Sequence, residues 1–318
     1  MTSEAVALPR QIAQSLGVGD FVRAEQLMHS ALEARSLEPV ERVRLRMSLI
    51  RLLHLRGDAA GARQEIDRLD QDAAGVDAPL RAEVARLHAE HALVGRAPLQ
   101  EVVALWTKTG AASAAASDRA GEMAALGHAV EVLQSMGRFD DARAQIDTFL
   151  GGAAGEIGAR DRLGFAMQSA LLAMRRGGDA WSSARARFLA LLAEADQAGH
   201  VQVGVTMRLL YGQQLTQVGS SAEAIQVLDQ ARRDTVRLSN PILYVLVAAA
   251  LAHAYELNGQ RPEAYGTLLR ARVSLTDLLG PDGGALPQLI IDQVRTRWSL
   301  EGFEQAVQEF HTRYRIPR

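Results

Sequence analysis

Glycine recurs down this chain at Gly19, Gly57, Gly95, Gly137, Gly178, Gly219, Gly259 and Gly302, with successive gaps of 38, 38, 42, 41, 41, 40 and 43 residues. An alanine stands five residues after five of them, as Ala24, Ala62, Ala142, Ala224 and Ala264. Apolar residues at three- and four-residue spacing flank each glycine, the pattern of a helix, a turn and a second helix. One helix pair cannot bury its own apolar face, so units of this size are stable when stacked, and the stack itself makes a continuous core. The expectation is an all-α chain forming a single domain over residues 1–318, with hairpin turns near 19, 57, 95, 137, 178, 219, 259 and 302.

The 318 residues are 48% hydrophobic, enough for one large or two ordinary domains. The repeat overrides that count, because a stack of hairpins needs contacts only between neighbours. Net charge is −2, and the short arginine clusters have acids beside them, so no nucleic-acid footprint is present. Lys108 is the single lysine among 35 basic residues, which reads as bacterial coding bias rather than as guanidinium recognition. With no cysteine, disulfides, thiolate zinc sites and a cysteine nucleophile are excluded. The opening MTSEAVALPRQ lacks the basic flank and apolar core of a signal peptide. The longest apolar run, Ile242 to Ala252, falls short of the roughly 20 residues that span a bilayer. A cytoplasmic protein without membrane contact is expected.

Stretches rich in proline, glycine or small residues occur at Ser36 to Pro39, Asp72 to Pro79, Thr109 to Ser117, Gly151 to Gly158 and Gly280 to Pro287. Each lies midway between two periodic glycines, so they are read as connections between hairpins. Ala124, Ala125, His128, Val132 and Met136 repeat at helical spacing up to Gly137, and Asp140 and Asp141 follow in the first turn of the next helix, where the macrodipole favours acids. Asn240 as N-cap with Pro241 behind it marks the clearest helix start.

The segments GDFVRA (Gly19 to Ala24), GDAAGA (Gly57 to Ala62), GRFDDA (Gly137 to Ala142), GSSAEA (Gly219 to Ala224) and GQRPEA (Gly259 to Ala264) resemble the turn and second-helix start of tetratricopeptide repeats. Glycine ends the first helix in a conformation costly to other residues, and alanine lets the second helix approach closely. The resemblance covers nearly the whole chain in coarse form. It departs from the family in its longer period, its missing first-helix aromatics and its irregular terminal proline; Gly95 has Gln100 at the alanine offset, Gly178 has Ala184 one residue late, and Ala306 comes one early. Arrays this long and degenerate are similar to the superhelical sensor arrays of bacterial maltose-operon-type activators and peptide-sensing regulators. The resemblance implies a right-handed superhelical solenoid of about eight hairpins and a non-enzymatic module that binds a protein or peptide, as a scaffold or adaptor. A sensor of a small molecule or peptide, with its effector elsewhere, is the alternative.

In that family the first helix of each unit lines the concave face. Counting back six and three residues from each glycine gives Arg51 and His54, Ala89 and Ala92, Glu131 and Gln134, Leu172 and Arg175, Gln213 and Thr216, His253 and Glu256. The polar members Arg51, His54, Glu131, Gln134, Arg175, Gln213, Thr216, His253 and Glu256 form the candidate groove wall, suited to an extended peptide or a polar small molecule. The same positions also suit the plain solvent face of amphipathic helices.

No catalytic, metal or cofactor motif is present. His88 and His91 in HAEH stand three apart, where a zinc-protease pair stands four apart, so partly buried histidines are expected. Gly17, Val18 and Gly19 lack the strand before them that a dinucleotide fingerprint needs. Leu215 to Leu228 imitates a helix-turn-helix, but its place in the period explains it. Trp106, Trp181 and Trp298 lie on or beside second or terminal helices and are read as packing residues, with ligand stacking as the alternative. Phe303, Ala306, Val307, Phe310 and Tyr314 make an apolar stripe that closes the last repeat or, if exposed, offers a self-association face through the C-terminal helix. Pro317 stops that helix within the short tail Arg315 to Arg318.

Overall fold

The structure, a computed structural model, describes residues 3–34, 37–152, 157–175 and 179–314. Sixteen α-helices and no strand occur among them: α1 (Ser3–Gly17), α2 (Phe21–Glu33), α3 (Pro39–Leu55), α4 (Ala59–Asp72), α5 (Ala78–Val94), α6 (Leu99–Ala115), α7 (Arg119–Ser135), α8 (Phe139–Gly152), α9 (Ala159–Met174), α10 (Asp179–Gln197), α11 (Val201–Gln217), α12 (Ser221–Thr235), α13 (Pro241–Leu257), α14 (Arg261–Leu279), α15 (Ala285–Trp298) and α16 (Leu300–Tyr314). They pair in chain order as eight hairpins, odd-numbered helices first. The chain is thus an all-α repeat array. Its contacts separate two compact units, Met1–Phe149 and Leu150–Arg318.

The turns explain the glycine period. Gly19, Gly57, Gly137, Gly219 and Gly259 have φ of 76°, 76°, 73°, 82° and 76°, in the left-handed region that side-chain-bearing residues avoid. The alanines five residues on are buried: Ala24, Ala62, Ala142 and Ala224 at 0% exposure and Ala264 at 1%, so that a larger side chain would hold the two helices apart.

Two turns depart from the expected positions. In the third hairpin Gly95 is helical, with φ −72°, and the left-handed residue is Arg96, with φ 55°. Pro98 then becomes the N-cap, the second helix begins later after the turn, and Val102 is buried there instead of an alanine. In the eighth hairpin the turn is at Ser299, φ 68° and ψ 161°, and Gly302 lies inside α16. Gly178, Ser36, the middle of the Gly151 to Gly158 stretch and the tail from Arg315 lie outside the described residues.

The connections are shorter than composition implies. Thr109 to Ala115 belongs to α6, since a run of alanines favours helix strongly enough to carry Gly110 and Ser113 with it. Only Ala116, Ser117 and Asp118 join α6 to α7. Short 3-10 turns at Ala73–Gly75 and Pro281–Gly284 occupy two of the other stretches. Asp20, Asp58, Asp77 and Asp118 cap their helices by accepting a backbone N–H, at 3.1, 2.8, 3.1 and 2.9 Å. Asn240 does the same for α13 from Leu243 N–H at 3.0 Å, with Pro241 behind it as expected.

In the first unit, leucine, isoleucine, valine and methionine side chains of α3 to α5, with Met28 and Ala24 of α2, make the core. Arg46 is buried within it, paired with Glu65 and, at 2.8 Å, with Asp72. In the second unit Phe188 and Tyr211, ring centroids 4.9 Å apart, anchor the core of α9 to α13. The C-terminal stripe closes that unit. Phe310, 1% exposed, sits on Gly266 of α14, where an added Cβ would come within 2.0 Å of its ring, and Ala306 is also buried. Tyr265 meets Phe303 and Phe310 edge-on.

Candidate functional site

A first helix packed on its partner and on neighbouring hairpins keeps one stripe in solvent, and the turn residue fixes which stripe that is. Six residues before each described positive-φ residue that joins the two helices of a hairpin stand Ala13, Arg51, Glu90, Glu131, Gln213, His253 and Gln293, and none of them is buried. The predicted positions Arg51, Glu131, Gln213 and His253 are therefore solvent-facing. Ala89 and Ala92 are buried instead, at 0% and 7%, because the turn is at Arg96; the stripe of α5 runs through Glu83, Arg86, Glu90 and Leu93. With a glycine as the only turn signal, that one-residue shift was invisible in the sequence.

In the first unit Arg51 is exposed on α3, and His54, one turn further, is half-buried. His54 stacks on His91 of α5 with ring centroids 5.0 Å apart and Nε2 to Nδ1 at 2.7 Å. Burial lowers both imidazoles from their ordinary value, and for His91 the neighbouring His54 lowers it further. His88 turns the other way, its Nε2 2.9 Å from Asp70. The HAEH histidines thus have different partners, and no group of three metal-ligating side chains occurs among the described residues. Glu131 is exposed, 3.9 Å from His128, and Gln134 is half-buried on the same helix. A slot of about 210 Å³ runs between α5 and α7 over α6, lined among others by Glu83, Arg86, Glu90, Trp106, Asp118 and His128.

In the second unit the solvent stripe is more apolar. α13 presents Ile242, Leu246 and His253 at 68% and 51% exposure for the two aliphatic residues, and α15 presents Leu286 and Gln293. Gln213 is exposed on α11, but Thr216 is not a groove residue: it is 8% exposed and its hydroxyl donates to Gly212 O at 2.8 Å. Arg175 is exposed at the end of α9, beside a turn that lies outside the described residues. Glu256 accepts from Arg297 Nε at 2.8 Å and Trp298 Nε1 at 2.6 Å, and lies 3.7 Å from His253. Burial alone would raise this carboxyl; the hydrogen bonds from Arg297 and Trp298, with the Arg297 charge, outweigh it and hold the group below its ordinary value. His253 and Glu256 are thus the two predicted residues in mutual contact, on the rim of a cleft of about 130 Å³ between α13 and α15.

The other motifs are structural. Leu215 and Leu228 of the helix-turn-helix imitation are buried at 1% and 0%. Trp298 is buried, and Trp181 packs half-buried against the second core. No helix among the described residues is long and apolar enough to cross a membrane.

No family model matches the chain, and no curated protein matches its sequence. Solved structures match its fold. The tetratricopeptide-repeat sensor protein of the signal transduction ATPases with numerous domains from Pyrococcus horikoshii aligns at TM-score 0.57 and 11% identity, over 87% of this chain and 43% of its own. The chain therefore spans less than half of that protein. The apo quorum sensor NprR from B. thuringiensis aligns at TM-score 0.53 and 11% identity, over 95% of this chain and 84% of its own. A tetratricopeptide repeat protein from Parabacteroides merdae aligns at TM-score 0.51 and 13% identity, over 84% and 91%. At such identities the likeness is one of fold, and it agrees with the glycine turns and buried alanines: the chain has a long-period helical-repeat fold like that of tetratricopeptide-repeat structures.

Proposed function

We propose that the chain is a non-enzymatic module that binds a peptide or an extended segment of another protein along the solvent stripes of its first helices. The observation that carries this reading is the register: the position six residues before each described turn within a hairpin stays out of the core, and from Arg51 to Gln293 it is polar throughout. A packed repeat needs only its other stripes to be stable, so within each unit successive hairpins leave solvent-facing side chains for recognition. Several modest contacts over a preformed surface suit an extended ligand, which would lose entropy only once. The reading takes residues 1–318 as one cytoplasmic binding domain. Self-association through α16 would have to use its outward side, Gln305, Gln308 and Thr312, because Ala306 and Phe310 are buried and Phe310 packs on Gly266 of α14.

The test is native mass spectrometry of the tagged chain recovered from its host at low salt, beside the variant Arg51→Ala, Glu131→Ala, Gln213→Ala, His253→Ala. A stoichiometric protein or peptide adduct that the variant loses while keeping its melting temperature supports the reading. An adduct retained in full by the variant overturns the assignment of the face. The sensor alternative draws on the fold shared with NprR, which has also been solved with its cognate peptide NprX. It predicts a small added mass and a ligand-dependent rise in melting temperature by mass action.

A further inference from the structure

Trp106 carries a group that its packing does not use. The indole is 3% exposed on α6, stacked with the His128 ring at 4.3 Å between centroids, and its Nε1–H is the one buried side-chain donor without an acceptor among the described residues. Buried donors in folded proteins are nearly always paired, so an orphan calls for a reason. Trp298 shows the ordinary solution, donating to Glu256 at 2.6 Å. Trp106 also lines the slot between α5 and α7. α5 supplies Glu83, Arg86 and Glu90 to one wall of the slot and α7 supplies His128 to the other, with Trp106 of α6 between them. Its charged lining is three carboxylates, Glu83, Glu90 and Asp118, against one guanidinium, Arg86, which is itself 3.8 Å from Glu90.

We propose that this slot is a specificity pocket for one basic residue of an extended peptide. The cationic side chain lies among Glu83, Glu90 and Asp118, and a backbone carbonyl of the same peptide accepts the Trp106 Nε1–H. The volume, about 210 Å³, suits a single residue rather than a folded partner. The N–H is buried, so a neighbouring side chain must turn for the carbonyl to reach it; His128, stacked on the indole with its own side chain 49% exposed, is the neighbour assigned that movement. The proposal rests on the reading of the first-helix stripes as the binding face and adds the residue class that one part of that face selects.

Indole nitrogen–proton spectra of the full chain test it, with Trp106 assigned by the Trp106→Phe variant. The probes are the blocked pentapeptides acetyl-Gly-Gly-Arg-Gly-Gly-amide and its glutamate counterpart, titrated to millimolar concentration. The arginine peptide should move the Trp106 resonance and the glutamate peptide should not. Trp106→Phe should weaken the arginine peptide about 2- to 10-fold, as one lost hydrogen bond does, while the smaller ring in this buried site lowers the melting temperature modestly and leaves the chain folded. The double variant Glu83→Gln, Glu90→Gln should weaken it further. If neither peptide moves Trp106, or both move it equally, the pocket is overturned. If Trp106→Phe binds the arginine peptide as well as the parent does, the donor serves only a water and the carbonyl contact is overturned. Loss of the host-derived adduct in the four-site variant is independent of these results, so the pocket can fail while the face stands.

Discussion

The two units build the same hairpins and present different chemistry. In the first, α3, α5 and α7 offer Arg51, Glu83, Arg86, Glu90 and Glu131 beside Leu93, a largely charged surface interrupted by the slot over Trp106. In the second, α11, α13 and α15 offer Leu210, Ile242, Leu246 and Leu286 beside the amides Gln213 and Gln293. The interiors differ too: a buried Arg46 held by Glu65 and Asp72 in one, an aromatic closure of Phe310 on Gly266 in the other. Repeat geometry decides which positions face solvent, and it leaves the identity of those side chains open. An array can thus carry a polar and an apolar recognition surface on one fold.

The largest effect expected is on the aromatic closure. Phe310→Ala should cost about 3–5 kcal/mol, the range for a buried aromatic truncated in a core. Hydrogen exchange should find the loss in residues 150–318; equal loss of protection in the first unit would show that the two do not keep separate stabilities. Gly266→Ala pushes the same ring from the other side and should cost about 1–3 kcal/mol by overpacking, read as a lower urea midpoint. Ser299 occupies a backbone region that only glycine tolerates well, so Ser299→Gly should raise stability by about 1 kcal/mol. An unchanged or lower midpoint would contradict the strained turn.

The smallest effect is set by pH and belongs to the first unit. His54 and His91 have lowered values there, chiefly through burial, so the unfolded chain binds their protons more readily than the folded one. Stability is complete above the ordinary histidine value of 6.5 and falls as acid carries the pH below it, towards the folded values. Glu90 and Asp67 oppose the shift, while Arg63 and His88 add to it for His91. His54→Gln should flatten the acid limb of the melting curve measured through the first unit. An unchanged limb would remove the pair from the account.

Much of the fold was legible because one residue type did one job. Gly19, Gly57, Gly137, Gly219 and Gly259 all proved to be left-handed turn residues, and each placed its first helix in register. Arg96 adopts the same turn without glycine, and there the count slipped: Ala89 and Ala92 were placed on the face in place of Glu90 and Leu93; Ser299 turns the chain in a different conformation, with ψ 161°. The period also implies that residues about 40 apart are neighbours. His54 and His91 are 37 apart, and Glu256 and Arg297 are 41 apart. Which pairs meet depends on register to within one residue, and the sequence does not carry that precision. The buried donor of Trp106 was legible in no pattern, since it depends on what three helices fail to provide.

The most direct test of the central claim is hydroxyl-radical footprinting of the chain with and without its captured partner. Leu93 and Leu246, 49% and 51% exposed on first helices, report the proposed face; Leu189 and Val273, 39% and 48% exposed on second helices, serve as the comparison. Protection of one or both first-helix reporters, with oxidation of Leu189 and Val273 unchanged, is the predicted result. Protection of the second-helix pair, with Leu93 and Leu246 oxidised as in the free chain, would contradict it.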